Sequence, residues 1–326
     1  NSFQNSCLKT VQHFGCRSLL VALFTAGLFF APAPANGERK YQRLVIVSDA
    51  HYPSKTSAEK KPLVRWHKIR QKLQAVKDIN SWQDVDLVVF TGDTVEKTGS
   101  LENYVLAKEF VDKFQHPVTM ITGNHEFRYA DTYNKKGKLK KASPDIRLAK
   151  LQCFQQEFQQ PELYYIKQAA PYLLVFLSVD RTDDVYTTGI SAAQLHWLDT
   201  TLTTYSNQPT IIFFHAPLMG TLLPYNKSVN KVNDVAQPER ELERILTSHP
   251  QVKLWVSGHT HTPPTQPSFA NPVNYYHGIL DVHNPTWDGE QVWTNSLYLY
   301  PHKIVIRTYD HLNKEFMPNL QRVVKW

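Results

Sequence analysis

Leu44-Val45-Ile46-Val47-Ser48-Asp49-Ala50-His51 joins two unlike kinds of sequence. Four consecutive aliphatic residues read as a strand buried on both faces. A carboxylate and an imidazole follow at once, two residues apart, so on extended backbone both side chains point the same way. The same construction recurs down the chain. Asp86-Leu-Val-Val-Phe90 runs into Gly92-Asp93, and Val118-Thr-Met-Ile121 into Gly123-Asn124-His125-Glu126. Thr210-Ile-Ile-Phe-Phe214 ends on His215, and Val252-Lys-Leu-Trp-Val256 leads to Gly258-His259-Thr260-His261.

Between these strands lie stretches with helical periodicity. Leu63 to Ile79, Ser100 to Phe114 with Ser100 as N-cap, Ser191 to Tyr205 and Pro238 to Leu246 are expected helices. Tyr172 to Leu177 adds a further buried strand. Strand and helix alternate, which implies an α/β layered domain. Near the end, Val292 to Leu299 and Lys303 to Tyr309 flank Tyr300-Pro301-His302, a hairpin signal. Residues 128–145 are polar and basic, and read as a surface excursion inside one domain. Cys153 sits in an apolar, helix-like stretch with Leu148, Leu151, Phe154 and Phe158, and reads as a small buried hydrophobe.

In open α/β sheets, ligands collect outside the carboxyl ends of the strands, so five separate loops are expected to converge. Their side chains share one chemistry. Carboxylate oxygen, amide oxygen and neutral imidazole nitrogen all bind divalent transition metals. Two Asp, one Asn and four or five His exceed the three protein ligands usual for one catalytic zinc. They suit two metals sharing a bridging carboxylate. The glycines before Asp93, Asn124 and His259 allow tight turns or close backbone approach.

These motifs, in this order, resemble those of the calcineurin-like metallophosphoesterases, over about Leu44 to His261 and the strands that follow. The resemblance implies a four-layer α/β/β/α sandwich. By motif, it implies that Asp49, His51 and His261 bind one divalent metal (Mn, Fe or Zn). Asn124, His215 and His259 would bind the second, and Asp93 would bridge. His125 would stabilise the phosphoryl group or protonate the leaving oxygen. Two cations about 3.5–4 Å apart clamp the attacking and leaving oxygens of an in-line displacement, and a water between them becomes the nucleophile. The expected substrate is a small phosphomonoester or phosphodiester. Thr91-Gly-Asp-Thr-Val-Glu-Lys-Thr-Gly-Ser-Leu-Glu-Asn-Tyr104 is similar to the second motif of bacterial cyclic-nucleotide phosphodiesterases. Thr94 to Lys97 lack the Tyr ligand of purple acid phosphatases, and the motif lacks the Arg of protein phosphatases. A metal-binding envelope protein without catalysis, or a nuclease of the same fold, are the alternatives.

The 326 residues, 42% of them hydrophobic, suffice for one large domain. The net charge of +7 is read as a solvated surface, because no long Lys/Arg run dominates, and no nucleic-acid partner is expected. Residues 1–35 differ from the rest. Lys9 and Arg17 precede the apolar run Ser18 to Phe30, and Ala33-Pro34-Ala35 offers a cleavage site. The expectation is a signal peptide at 1–35, a phosphoesterase domain at 36–326, no stable membrane span after cleavage, and a periplasmic or secreted product.

Overall fold

A computed structural model of the chain describes residues 39–183, 185–227 and 229–326. The expected signal peptide lies outside the described residues.

The first sheet holds β1 (Gln42–Val47), β2 (Leu87–Phe90), β3 (Val118–Met120), β12 (Trp293–Tyr300), β13 (Lys303–Asp310), β14 (Glu315–Phe316) and β15 (Arg322–Lys325). Its order is β14-β13-β12-β1-β2-β3, with β15 also on β13. Strands β1, β2 and β3 are parallel, in register Leu44↔Leu87 and Val88↔Val118, whereas β12 runs antiparallel to β1. Strands β12 and β13 form the expected hairpin, with Tyr300 opposite Lys303. The second sheet runs β10-β11-β9-β8-β7-β6, from β6 (Tyr165–Ala169), β7 (Tyr172–Phe176), β8 (Thr210–Phe213), β9 (Val252–Ser257), β10 (Tyr275–Tyr276) and β11 (Ile279–His283). Its four central strands are parallel.

Side-chain alternation turns these sheets into layers. Leu44, Ile46, Leu87, Val89, Leu297 and Ile304 face Leu174, Phe176, Ile211, Phe213, Leu254 and Val282, and form the core between the sheets. The alternate residues Val45, Val47, Val88 and Phe90 point outward, onto α1 (Pro62–Ser81), α2 (Leu101–Val111) and α3 (Pro144–Glu157). On the far side, Leu173, Val175, Ile212 and Trp255 pack on α4 (Ala192–Thr204) and α5 (Glu239–Ser248). The result is the α/β/β/α sandwich. Ser100 and Ser191 cap α2 and α4, accepting from the N–H of Asn103 and Gln194, each at 3.2 Å.

Some elements depart from the sequence reading. Residues 128–145 are not merely an excursion. They fold as the hairpin β4 (Tyr129–Tyr133) and β5 (Leu139–Lys141), then enter α3, whose first turn is capped by Ser143. Cys153 is buried on α3 as expected. Strand β11 is hidden in the sequence because polar residues interrupt its apolar run. Asp281 is buried there, accepting from Ser257 Oγ at 2.7 Å and Leu218 N–H at 2.8 Å. Among the described residues, no helix is long and apolar enough to cross a membrane.

Candidate metal centre

Parallel pairing puts the carboxyl ends of β1, β2 and β3 on one edge of the first sheet, and those of β8 and β9 on the matching edge of the second. The five motif loops meet there and bond across the gap between sheets. His215 Nδ1 donates to Thr91 O at 2.9 Å, and the His259 N–H donates to Asp49 Oδ2 at 3.0 Å.

Two groups of ligand atoms result. Asp49, His51 and His261 form one, and Asp93, His215 and His259 the other. Within each, the atoms lie within 4.8 Å of one another. His261 Nε2 is 3.1 Å from Asp49 Oδ1, and His259 Nδ1 is 3.1 Å from His215 Nε2. Asp93 sits between the groups. Its Oδ1 accepts from the His125 N–H at 2.8 Å, while Oδ2 faces His215 Nε2 at 3.3 Å and His51 Nε2 at 3.7 Å. The structure thus brings seven of the sequence-predicted residues to one place. Asn124 is buried beside them.

The donor set fits divalent cations. His51 Nε2 and Asn124 Oδ1 are buried without a hydrogen-bond partner, a costly state for isolated polar atoms. Three of the four imidazoles, those of His51, His215 and His259, are aimed by their other nitrogen, as ligating histidines usually are. His51 Nδ1 donates to Val95 O at 3.2 Å, and His259 Nε2 donates to Asn233 O at 3.2 Å. Backbone strain concentrates on the same residues. Asp49, His51, Asp93, His259 and His261 all adopt left-handed φ, between 43° and 62°, which side chains other than glycine seldom take. Gly258 answers a different demand. A Cβ there would collide with Ser48 Oγ and Asp49 Oδ2.

Charge is distributed unevenly. Burial presses the His215 imidazole down, but the charges of Asp93 and Asp49 outweigh it and raise it to about 9. Burial and the neighbouring His215 hold His259 down at about 3, and burial with the Lys55 ammonium keeps His51 well below the usual range. Burial also lowers His125, to about 4. Neutral imidazoles are the form that binds metal.

His125 Nδ1 donates to Lys97 O at 2.6 Å, and its ring stands edge-on to His51 with centroids 4.9 Å apart. Glu126 has no role in the sequence reading of its motif, and the structure supplies one. Its buried carboxylate accepts from the N–H groups of Gly123 (2.7 Å), Asp93 (2.9 Å) and Thr94 (2.7 Å), tying two motif loops together. Burial, reinforced by Asp93, pushes its carboxyl up to about 7. The only sequence signal was an acid at a strand end with no cation beside it. In the flanking loops, Tyr129 lies 4.9 Å from the His125 ring, and Tyr225 shares a 2.9 Å hydrogen bond with Thr262 Oγ1. Phe127 and Leu222 are buried in the interior, while Leu223 is exposed.

The sequence profile of the calcineurin-like phosphoesterases matches residues 42–263. A 3',5'-cyclic-nucleotide phosphodiesterase of Nostoc sp., alr5338, is 28% identical over 182 residues, which are 55% of this chain and 56% of the relative. The match therefore spans little more than half of that relative. In three dimensions the chain is similar to a dimetal phosphatase from Danio rerio (TM-score 0.54, 16% identity, 87% of this chain and 99% of that one). It is also similar to a purple acid phosphatase from yellow lupin (TM-score 0.56, 14% identity, 90% of this chain and 55% of that one). At these identities the two structures speak for the fold.

Proposed function

The chain belongs to the calcineurin-like phosphoesterase family, and on that premise we propose that it is a phosphoric ester hydrolase that cleaves a small phosphomonoester or phosphodiester at a binuclear centre. The observation that carries this reading is Asp93 Oδ2, poised between the Nε2 atoms of His51 and His215, one from each ligand group. Asp49, His51 and His261 would hold one divalent cation. Asn124, His215 and His259 would hold the other, with Asp93 shared. When bound, the pair supplies positive charge to the phosphoryl oxygens and acidifies a water for attack on phosphorus. The protein fixes the geometry: Glu126 locks the Asp93 and Asn124 loops, and the Thr91 and Val95 carbonyls set the ring planes of His215 and His51. With Nδ1 committed to Lys97 O, His125 keeps Nε2 as an acceptor at the edge of the centre, where the Lys55 ammonium meets it.

Specificity must come from the loops, because a cation pair recognises the phosphoryl group common to all esters. Tyr129 and Tyr225 offer ring faces suited to a base or sugar, and the Nostoc relative carries the name of a cyclic-nucleotide enzyme. The test compares kcat/KM for a 3',5'-cyclic nucleotide, an aryl phosphodiester, an aryl phosphomonoester and a phosphopeptide. A small ester should lead. A phosphopeptide ahead by about tenfold, or about 1.4 kcal/mol of transition-state preference, would overturn the reading. Export follows from residues 18–35. An exported chain beginning at Asn36 would support it, and one retaining earlier residues would not.

A further inference from the structure

We propose that Lys55 is a substrate-binding residue, whose ammonium, standing beside His125 at the edge of the candidate centre, binds an anionic oxygen of the phosphate ester. The inference rests on the hydrolytic reading above, and it concerns a residue that none of the five motifs contains. Lys55 lies four residues beyond His51, in a polar loop with no sequence signal of its own.

The loop is built to hold it. The Tyr52 N–H donates to Thr94 O at 2.8 Å, tying the loop to the Asp93 turn. Lys72, fully buried, donates from Nζ to Pro53 O at 2.7 Å and to Asp288 Oδ1 at 2.8 Å. The other oxygen of Asp288 accepts the Lys55 N–H at 3.0 Å. Arg65 donates to the carbonyls of both neighbours, Ser54 and Thr56. Every residue from 52 to 56 is thereby anchored by a hydrogen bond to another part of the molecule.

The side chain reaches back towards the centre. Lys55 Nζ lies 3.2 Å from His125 Nε2. Because His125 Nδ1 donates to the Lys97 carbonyl, Nε2 presents a lone pair, and the ammonium donates to it. That contact uses one of three N–H groups. Among the described residues, Lys55 forms no ion pair with a carboxylate. A lysine whose only task was surface solvation would gain nothing from turning towards a site meant for cations. Lys55 is exposed, so water solvates its remaining N–H groups, and the phosphoryl oxygens of the ester are an anion that can take the place of that water. Hydrogen bonds from a charged donor to such oxygens are among the strong ones.

The experiment uses the full chain loaded with manganese, as wild type, Lys55→Met and Lys55→Arg. Metal content is read by elemental analysis, inorganic phosphate binding by calorimetry, and kcat and KM with an aryl phosphate ester. Lys55→Met should keep its metals and its Tm, bind phosphate about 10- to 100-fold more weakly, the range for a lost charged hydrogen bond, and lose kcat/KM in parallel. Lys55→Arg should recover most of the phosphate affinity. The proposal is overturned if Lys55→Met binds phosphate like wild type, if it loses metal, or if Lys55→Arg falls as far as Lys55→Met. If the wild type cleaves no ester yet binds phosphate in a Lys55-dependent way, the hydrolytic reading fails while the assignment of Lys55 stands.

Discussion

Asp93 gives each of its oxygens a separate task. Oδ1 is held by the His125 N–H, and Oδ2 is left between two imidazoles. Asp93→Asn would replace the shared anion with a neutral amide, so hydrolysis should disappear and metal content fall, as turnover and elemental analysis would show. If the Asp93→Asn protein kept full metal and near-normal turnover, the bridging role would be contradicted. His125→Ala should act differently. It removes a group near the reacting atoms and no ligand, so the metals should stay while turnover falls by about 10²–10⁴-fold, the range for a positioned acid–base group. Loss of metal would show that His125 had been given the wrong role. Gly258→Ala tests the close approach of backbone to ligand. Its methyl would meet Ser48 Oγ and Asp49 Oδ2, so metal affinity should drop while circular dichroism stays native. The metal-ligating candidates were legible in the sequence because each stands at the end of an apolar strand, where nothing structural requires a histidine. Glu126 and Lys55 were not, since their roles appear only once two loops distant in sequence are folded side by side.

Elements were legible where one face is apolar and the ends are marked. Helices α2 and α4 carry serine caps, and their buried positions recur with the helical period. Helix α3 has the same signature at Ser143-Pro144-Asp145, but two of its buried positions are Arg147 and Lys150, and these charges break the apolar stripe. Strand β11 was obscured in the same way by Asp281 and His283. A cap far from the chemistry offers a test of this level. Ser191 Oγ accepts the Gln194 N–H and donates to the partly buried Asp180 carboxylate at 2.6 Å. Ser191→Ala should therefore cost about 1–3 kcal/mol of stability, combining a lost cap with a poorly satisfied acid. Denaturant melts would read that loss, and kcat/KM should not change. A variant as stable as wild type would remove the cap from the explanation of α4.

At the scale of the molecule, the centre joins the two sheets at their carboxyl edges. Asp49, Asp93 and Asn124 come from the first sheet, His215, His259 and His261 from the second, and the hydrogen bonds from His215 to Thr91 and from His259 to Asp49 cross between them. Cations that bind only this folded arrangement stabilise it by mass action. Chelation should accordingly lower Tm, and returned metal should restore it. The most direct measurement is the number of metal ions per chain, determined by elemental analysis during stepwise reconstitution of the chelated protein, with ester hydrolysis followed in parallel. A binuclear centre predicts saturation at two ions per chain, with hydrolysis absent from the stripped protein and complete only at that ratio. Full hydrolysis by the stripped protein, or saturation at a single ion with full activity, would contradict it.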